Sequence, residues 1–467
     1  MSFQSLSFPV FLAAAVLVCR GLAGTPAAVM ALELFCLFFY LCSGGWAALA
    51  VLAAGVLVTR AALGALAGPH RRRTLTLACC YHVAVLAVFK YADFFTGGAW
   101  SLGWAPLGLS FFTFQQLWLL RDAYVGDYRP VGGEPWPLFA LFFPTVTSGP
   151  ILRAGGFFPQ LEAEGFLRPS GADAAAGLYA MCWGTIKKVL LADPLGTVVA
   201  NGWSGVEGLS APEAWLVMLA YTLQLYLDFS GYCDIASGAA RLLGVRLPVN
   251  FDSPYRSCSV GEFWKRWHMT LTGFLRQCVY FPLGGSRKGL LRTCGNILIV
   301  YLVSGWWHGA GWTFLVWGSL HGLAQIAERL WGPGRERLPG AVRWTGTFLF
   351  VNVAWVFFRA PDLHAAGSML SAAVSGGLRL PGEWLLEGFF DSETAAAALA
   401  APGLPVQWLL LAVVLAAGLA VSMMREEPVR RMDTFRPTWR QGAVLAALTA
   451  WSVLSFTGIT GFIYSNF

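Results

Sequence analysis

Residues 250–283 read NFDSPYRSCSVGEFWKRWHMTLTGFLRQCVYFPL, and this stretch differs most clearly from the apolar runs around it. Ser259 and Glu262 form an S-x-x-E capping box, which predicts that a helix begins at Val260. The helix is expected to end before Pro282, which cannot continue the backbone hydrogen bonding. The segment therefore predicts one uninterrupted helix between these two residues.

This predicted helix is amphipathic on a wheel of 100° per residue. Its apolar face consists of Phe263, Trp264, Trp267, Leu271, Phe274, Leu275 and Cys278. Its polar face consists of Lys265, Arg266, Thr270, Thr272, Arg276 and Gln277. Glu262 can pair with Arg266 one turn further on, and His268 lies at the edge between the faces. The pattern predicts a helix at, or dipping into, the membrane interface, for which a headgroup-level anchor is the simplest interpretation.

The rest of the 467-residue chain is strongly apolar. Hydrophobic residues make up 57% and charged residues 12%, against roughly 25% charged in a typical soluble domain. A soluble chain of this length cannot cover its surface with so few charges. The composition excludes a cytosolic enzyme, a nucleic-acid-binding domain and a disordered scaffold. It predicts an all-α polytopic membrane protein, whose net charge of +7 comes from basic loops on the cytoplasmic side.

Apolar stretches of membrane-spanning length recur along the whole chain and predict about ten to twelve spans. After a first span near the N-terminus, they lie around 27–66 (two spans broken near Gly44 and Gly45), 74–95, 136–152, 174–200, 212–240, 294–306, 312–330, 342–359, 405–424 and 442–463. The expected cytoplasmic basic clusters lie at 71–73, 287–292, 329–337 and 425–440. No soluble domain or internal repeat is visible, so residues 1–467 are predicted to form a single integral-membrane domain with N-terminal spans over 1–66.

A second unusual segment, 296–328, carries His308 within the sequence GWWHGAGW. An ionisable side chain at membrane depth is costly and usually faces a cavity. The flanking glycines allow a helix break and close approach of a ligand, and the tryptophans could wall a narrow tunnel. A neutral histidine there suits a general base. The alternative is a hydrogen-bonded structural histidine, with the glycines serving helix packing.

Two carboxylates and the cysteines complete the set of polar candidates. Asp228 and Asp234 interrupt the apolar stretch 224–244, where they line a polar cavity or cap and brace helices, the second interpretation being favoured. The ten cysteines lie mainly in apolar runs without a C-x-x-C motif, so neither a metal site nor a disulfide framework is expected.

These residues resemble the membrane-bound O-acyltransferase superfamily, specifically its bacterial alginate O-acetyltransferase branch. The similar blocks occur in order from about residue 80 to the C-terminus. They are PLGLSFFTFQQ (106–116), FFPTVTSGPILR (142–153), GTIKKVLLAD (184–193), LDFSGYCDIASG (227–238), NFDSPYRS (250–257), FWKRWHMTLTGFLRQCVYFPLGG (263–285), SGWWHGAGWTFLVWGSLHG (304–322), WVFFRAPDL (355–363) and GFIYSNF (461–467). The two blocks that carry His268 and His308 are the most specific.

The resemblance implies a ring-like helical bundle, with re-entrant and amphipathic helices around a transmembrane tunnel. His308 matches the family's presumed catalytic histidine, and His268 matches its companion near the tunnel. Other residues expected to line or support the tunnel are Trp264, Arg266, Trp307, Asp228 and Gln115.

The activity implied is membrane O-acetyl transfer in the bacterial inner membrane, from a cytoplasmic donor to an exported polysaccharide of cellulose or alginate type. Acetyl-CoA is the expected donor, and Arg287 and Lys288 could attract its phosphates; no permanently bound cofactor or metal is expected. The implied partners are a periplasmic acetyltransferase, an exopolysaccharide synthesis complex and membrane lipids, but no nucleic acid. The terminal FIYSNF and the run Thr147–Pro150 depart from the family pattern, which leaves the polysaccharide open.

Three alternatives remain open at this point. The first is D-alanyl transfer to teichoic acid, with a carrier protein as donor. The second is a polysaccharide or lipid transporter without chemistry, against which the lack of an internal repeat argues mildly. The third and weakest is a structural membrane scaffold.

Overall fold

The computed structural model describes residues 5–100, 102–130, 132–389 and 406–455, together with Phe3 and Ile463. Within this part of the chain every regular element is a helix, as the composition predicts. The helices are α1 (Ser7–Leu22), α2 (Pro26–Ala65), α3 (Arg71–Leu86), α4 (Leu109–Val125), α5 (Trp136–Leu141), α6 (Ala154–Leu161), α7 (Gly171–Ile186), α8 (Asp193–Ser204), α9 (Ala211–Leu242), α10 (Val260–Arg266), α11 (Met269–Leu275), α12 (Leu290–His308), α13 (Trp312–Trp331), α14 (Gly340–Arg359), α15 (Leu363–Ser375), α16 (Val406–Ser422), α17 (Pro428–Arg431) and α18 (Trp439–Leu454). The end of the predicted span 442–463 and most of the block GFIYSNF lie outside the described residues.

Three of these helices contain or continue into π-helical turns. The first π turn, Ala87–Tyr91, follows α3 and is itself followed by one α turn at Ala92–Phe95. The second, Lys187–Ala192, joins α7 to α8, and the third, Arg276–Tyr280, follows α11. Such turns are rare and occur frequently at functional sites.

Four described helices are long and apolar enough to cross a membrane by length and composition, fewer than the ten to twelve spans expected. They are Pro26–Ala65, Arg71–Phe95, Leu290–His308 and Gly340–Arg359. The predicted break in the first is confirmed, because Gly45 interrupts it with a φ of 75°.

The span predicted over 136–152 is wrong. Helix α5 has only six residues, and the chain then continues in turns. Pro144 and Pro150 explain the difference, since neither can donate a backbone hydrogen bond within a helix. A run of apolar residues was sufficient for burial here but not for a continuous helix.

Helix α9 is the buried centre of the bundle. Its 32 residues make it about 48 Å long at 1.5 Å per residue. It packs closely against α7 through two glycine pairs, Gly177 with Gly238 and Gly184 with Gly231. A Cβ atom at Gly184 would lie 2.4 Å from the Gly231 carbonyl oxygen, and one at Gly238 would lie 2.4 Å from that of Gly177. The two backbones can therefore approach this closely only where no side chain intervenes.

The predicted start of α10 is confirmed. The Ser259 hydroxyl accepts a hydrogen bond from the Glu262 backbone N–H at 2.9 Å. Glu262 also pairs with Arg266 at 3.0 Å, as the spacing predicts. A contact that the local sequence does not reveal adds to this cap. Glu328 of α13 accepts from the backbone N–H groups of Val260 and Gly261 at 2.7 and 3.0 Å, where the helix dipole favours a carboxylate.

The prediction of one uninterrupted helix up to Pro282 is wrong. Helix α10 ends at Arg266, and His268 adopts the left-handed conformation with a φ of 44° and a ψ of 54° before α11 begins. The neighbouring loop stabilises this break. The backbone N–H of Met269 donates to the Asn250 carbonyl at 2.9 Å, and that of Asp252 donates to the Arg266 carbonyl at 2.9 Å.

The anchor interpretation of this segment is also wrong, although the apolar face itself is confirmed. The residues Phe263, Trp264, Trp267, Leu271, Phe274 and Leu275 are all buried within the protein. Trp267, for example, packs against Tyr255 and Trp355, with ring centroids 6.0 and 5.1 Å apart. Thr270, expected on the polar face, is buried as well. The segment is thus an internal element rather than a helix resting on the membrane surface.

Candidate active site

His308 is the last residue of α12 and its side chain is almost completely buried. Its ring lies among aromatic rings, with centroid separations of 5.1 Å to Trp317 and 5.1 Å to Phe358. The turn that follows it requires a glycine, because a Cβ atom at Gly309 would lie 2.0 Å from the Phe314 ring. A helix end and a compact turn therefore place one imidazole in an apolar, aromatic environment.

His268 is fully buried at the break between α10 and α11. Its Nδ1 lies 3.2 Å from the Asn250 side-chain oxygen. That oxygen also accepts hydrogen bonds from the Thr270 backbone N–H at 3.2 Å and the Thr270 hydroxyl at 2.9 Å. A backbone N–H can only donate, so the shared Asn250 atom must be an acceptor. Nδ1 of His268 is consequently the protonated nitrogen, and Nε2 carries the lone pair of the neutral ring.

Trp307 brings the two histidines into one cluster. Its ring centroid lies 4.8 Å from that of His308 and 6.0 Å from that of His268. Its indole N–H donates to the Ser110 carbonyl at 3.3 Å, which fixes the ring against α4. The two predicted site histidines and Trp307 are therefore brought together.

Trp264 lies in the adjoining layer of aromatic residues. Its indole N–H donates to Nδ1 of His321 at 3.2 Å. His321 is fully buried and packs on Trp317, with ring centroids 5.2 Å apart. Since Trp317 also contacts His308, Trp264 supports the site through a chain of packed rings.

Gln115 and Arg266 do not join this cluster through their described hydrogen bonds and ion pairs. Gln115 donates to the Phe139 carbonyl at 3.0 Å and so anchors α5. Arg266 is half-buried and pairs with Glu262 and, at 3.7 Å, with Asp252. Both residues stabilise elements near the site.

Asp228 belongs to a buried ionic network, which agrees with the favoured bracing interpretation of the two carboxylates. Its carboxylate lies 2.6 Å from Nζ of Lys188, and it accepts a hydrogen bond from the Ile463 backbone N–H at 2.8 Å. A second buried ionic group contains Lys187, which pairs with Asp234 at 2.8 Å and with Glu427 at 3.2 Å. Phe229, which follows Asp228 in the chain, packs on His268 with ring centroids 4.9 Å apart, so the residue next to Asp228 forms part of the wall of the site.

A cleft of about 310 Å³ lies near the cluster. Its lining includes Trp264, Tyr301 and Ser304, and Ser304 precedes His308 by one helical turn on α12. Its basic lining residues are Lys265, Arg276 and Arg329. The cleft thus combines an apolar interior with cations, and it opens beside the segment where α10 and α11 meet.

Sequence reasoning missed Lys90, Tyr91 and Asn250. Lys90 donates from Nζ to the Trp307 carbonyl at 2.6 Å and to the Ser110 hydroxyl at 3.1 Å. The Tyr91 hydroxyl donates to the Trp306 carbonyl at 2.7 Å. A lysine inside an apolar span was the available signal for Lys90, because such residues are rare and mark functional positions.

Comparison with known proteins agrees with the resemblance. The sequence profile of the membrane-bound O-acyltransferase family matches residues 138–363, a range that includes both site histidines. A peptidoglycan O-acetyltransferase of Helicobacter pylori is 36% identical over 344 residues, which are 65% of this chain and 65% of that protein. The chain therefore matches just under two thirds of the Helicobacter protein's length.

Two further relatives are named for the transfer of different acyl groups, D-alanyl in one and acetyl in the other. A teichoic acid D-alanyltransferase of Bacillus subtilis is 28% identical over 280 residues, covering 55% of this chain and 69% of that protein. A probable alginate O-acetylase of Azotobacter vinelandii is 34% identical over 376 residues, covering 77% of this chain and 72% of that protein. With this extent of similarity, the chain belongs to the membrane-bound O-acyltransferase family.

Proposed function

We propose that this protein is a bacterial inner-membrane O-acetyltransferase that passes acetyl groups from a cytoplasmic donor to an exported polysaccharide. The observation that carries the proposal is the buried cluster of His308, Trp307 and His268. General base catalysis needs a neutral imidazole within reach of an acceptor hydroxyl, and burial among aromatic rings favours the uncharged ring. The family membership and the named O-acetyltransferase relatives support acetyl as the transferred group.

In this mechanism His308 takes the proton from the acceptor hydroxyl while the hydroxyl oxygen attacks the thioester carbonyl carbon of acetyl-CoA. The new C–O ester bond forms, the C–S bond breaks, and His308 returns the proton to the departing thiolate. His268, whose Nδ1 proton is held by Asn250, presents Nε2 as an acceptor and orients the reacting groups. No metal or permanently bound cofactor takes part in these steps.

The 310 Å³ cleft supports acetyl-CoA as the donor. Lys265, Arg276 and Arg329 offer charge-assisted contacts to its phosphates. The apolar part of the lining suits the pantetheine arm, and Ser304, one of the lining residues, lies one helical turn before His308 on α12.

The acceptor is a polysaccharide outside the cytoplasm, reached directly or through a periplasmic acetyltransferase partner within a polysaccharide synthesis complex. The names of relatives include alginate and peptidoglycan acetylation, and a cellulose-type exopolysaccharide fits the same chemistry. The chain contains no G-x-S-x-G motif, so a partner would supply any serine nucleophile of that kind. The Bacillus relative favours D-alanyl transfer to teichoic acid as the second candidate.

The decisive experiment measures the O-acetyl content of the cell's polysaccharides in a deletion strain complemented with variants of this chain. Wild type restores acetylation, whereas His308→Ala at equal membrane abundance lowers it by at least about 100-fold, because the base is removed. His268→Asn is the second variant, since asparagine tolerates the left-handed backbone of this position better than alanine.

Two other histidines provide matched controls. His82 is buried and bonded to the Thr59 hydroxyl at 2.8 Å, and His364 is exposed. His82→Ala tests the loss of any buried imidazole, and His364→Ala tests the loss of a surface one. Full polysaccharide acetylation in the strain that carries His308→Ala would overturn the assignment of His308 as the general base. An unchanged acetyl content in the deletion strain, with loss of D-alanine esters, would replace acetyl by D-alanyl transfer.

A further inference from the structure

Lys90 and Tyr91 are consecutive residues that bind consecutive carbonyl groups at the end of α12. Lys90 donates to the Trp307 carbonyl at 2.6 Å, and Tyr91 donates to the Trp306 carbonyl at 2.7 Å. Neighbouring side chains on an ideal α-helix point about 100° apart. The π turn at Ala87–Tyr91 changes this spacing, which allows both side chains to reach one helix end.

The carbonyls concerned are those that a helix cannot satisfy by itself. The last four carbonyl groups of an α-helix lack intrahelical partners. In α12, the Gly309 N–H donates to the Gly305 carbonyl at 3.3 Å, and Tyr91 and Lys90 supply donors for the next two carbonyls. The final turn, which carries His308, is therefore held mainly by another helix.

Three further contacts make this arrangement rigid. Tyr91 stacks on Trp306 with ring centroids 4.9 Å apart. The Lys90 Nζ atom lies 5.7 Å from the centroid of the Trp307 ring. Lys90 also donates to the Ser110 hydroxyl of α4. Lys90 and Tyr91, which we call the clamp, therefore join three helices.

We infer that Lys90 and Tyr91 are positioning residues, which hold the last turn of α12 so that the His308 imidazole keeps its orientation for acyl transfer. The inference rests on the proposed function. A reacting group displaced by about 1 Å can lose 100-fold in rate, so a clamp on the helix end affects turnover more than donor binding.

The test uses the full-length protein in lipid nanodiscs, with Lys90→Met, Lys90→Arg and Tyr91→Phe as variants. Lys90→Met keeps the length of the side chain but removes its hydrogen-bond donor, and Tyr91→Phe keeps the ring stack but removes one donor. With acetyl-CoA as donor, Lys90→Met is expected to lower kcat by about 100-fold at an unchanged KM, with partial rescue by arginine. Arg72→Met, at an exposed position on the first turn of α3, is the control, because it removes a cation from the same helix far from its Lys90 end.

Hydrogen–deuterium exchange of residues 304–310 provides a readout that does not depend on activity. Faster exchange in Lys90→Met and Tyr91→Phe, but not in Arg72→Met, supports the clamp. Unchanged exchange, or a folded Lys90→Met protein with wild-type kcat, would overturn it. If Lys90→Met does not fold, Tyr91→Phe decides, with an expected loss in kcat of about tenfold for one hydrogen bond. Failure of the proposed function is recognised separately, by an inactive wild type or an active His308→Ala variant.

Discussion

His268 shows how a single residue is fixed by its surroundings. A non-glycine residue in the left-handed region costs roughly 1–2 kcal/mol. The backbone bond from Met269 to Asn250 and the side-chain bond from His268 to the same residue offset this cost. Asn250 therefore determines both where the helix breaks and which nitrogen of His268 carries the proton.

At the residue scale we predict that Asn250→Ala lowers polysaccharide acetylation by about 10- to 100-fold, because His268 loses the acceptor that fixes its tautomer. Thr270→Val is the matched variant. It removes the threonine hydroxyl, which donates to Asn250 at 2.9 Å and accepts from the Ile151 backbone N–H at 3.1 Å, but it keeps the bond between His268 and Asn250 and is therefore expected to cost less activity. Acetyl content is compared at equal membrane abundance. Full activity of the Asn250→Ala variant would show that the hydrogen bond to His268 has no role in turnover.

The hairpin of α12 and α13 depends on glycines for its close packing. A Cβ atom at Gly318 would lie 2.4 Å from the Tyr301 carbonyl oxygen, and one at Gly305 would lie 2.3 Å from that of Phe314. These positions align α13 so that Trp317 packs on the ring of His308. Packing of the element and geometry of the site are therefore coupled.

At the element scale we predict that Gly318→Ala destabilises the purified protein by about 1–3 kcal/mol, through overpacking of the hairpin. Gly295→Ala on α12 is the control, since no atom lies within 4 Å of its added Cβ. Alanine there is expected to leave the melting temperature unchanged or to raise it slightly, because alanine favours helix over glycine. Equal melting temperatures for the two variants would contradict the role of glycine in this contact.

At the scale of the whole molecule, helices α10 to α13 together form the cleft that is proposed to take the donor. Lys265 lies on α10, directly after Trp264. Arg276 begins the π turn after α11, and Arg329 lies near the end of α13. No one of these elements forms the cleft alone. The tertiary structure gathers their charges around an opening beside Trp264.

We predict that combined Lys265→Ala and Arg276→Ala substitutions raise the KM for acetyl-CoA about tenfold or more, through loss of charge-assisted contacts, and leave kcat unchanged. Arg287→Ala with Lys288→Ala is the control pair, because these exposed loop residues were the donor site suggested by sequence. The KM is measured at several salt concentrations, and its salt dependence should weaken in the cleft variant. A larger effect of the control pair would move phosphate binding to the loop.

Much of this protein follows from local features of its sequence. Apolar composition determines that it is an all-α membrane protein, and a glycine predicts the break in α2. Ser259 and Glu262 determine where α10 begins, because a cap involves residues only three positions apart. The two unusual histidines stood out because ionisable groups are rare in apolar runs.

The geometry of the site depended on contacts between residues far apart in the chain. Lys90 contacts the Trp307 carbonyl across 217 positions of the chain. Asn250 contacts His268, 18 positions further along the chain, where the helix predicted from local periodicity breaks. Local patterns report burial and capping, but they carry no information on which distant donor meets a given acceptor. The sequence thus determined the class of protein and its candidate histidines. Tertiary packing alone decided the tautomer of His268, the clamp on α12 and the position of the cleft, because each requires elements that only folding brings together.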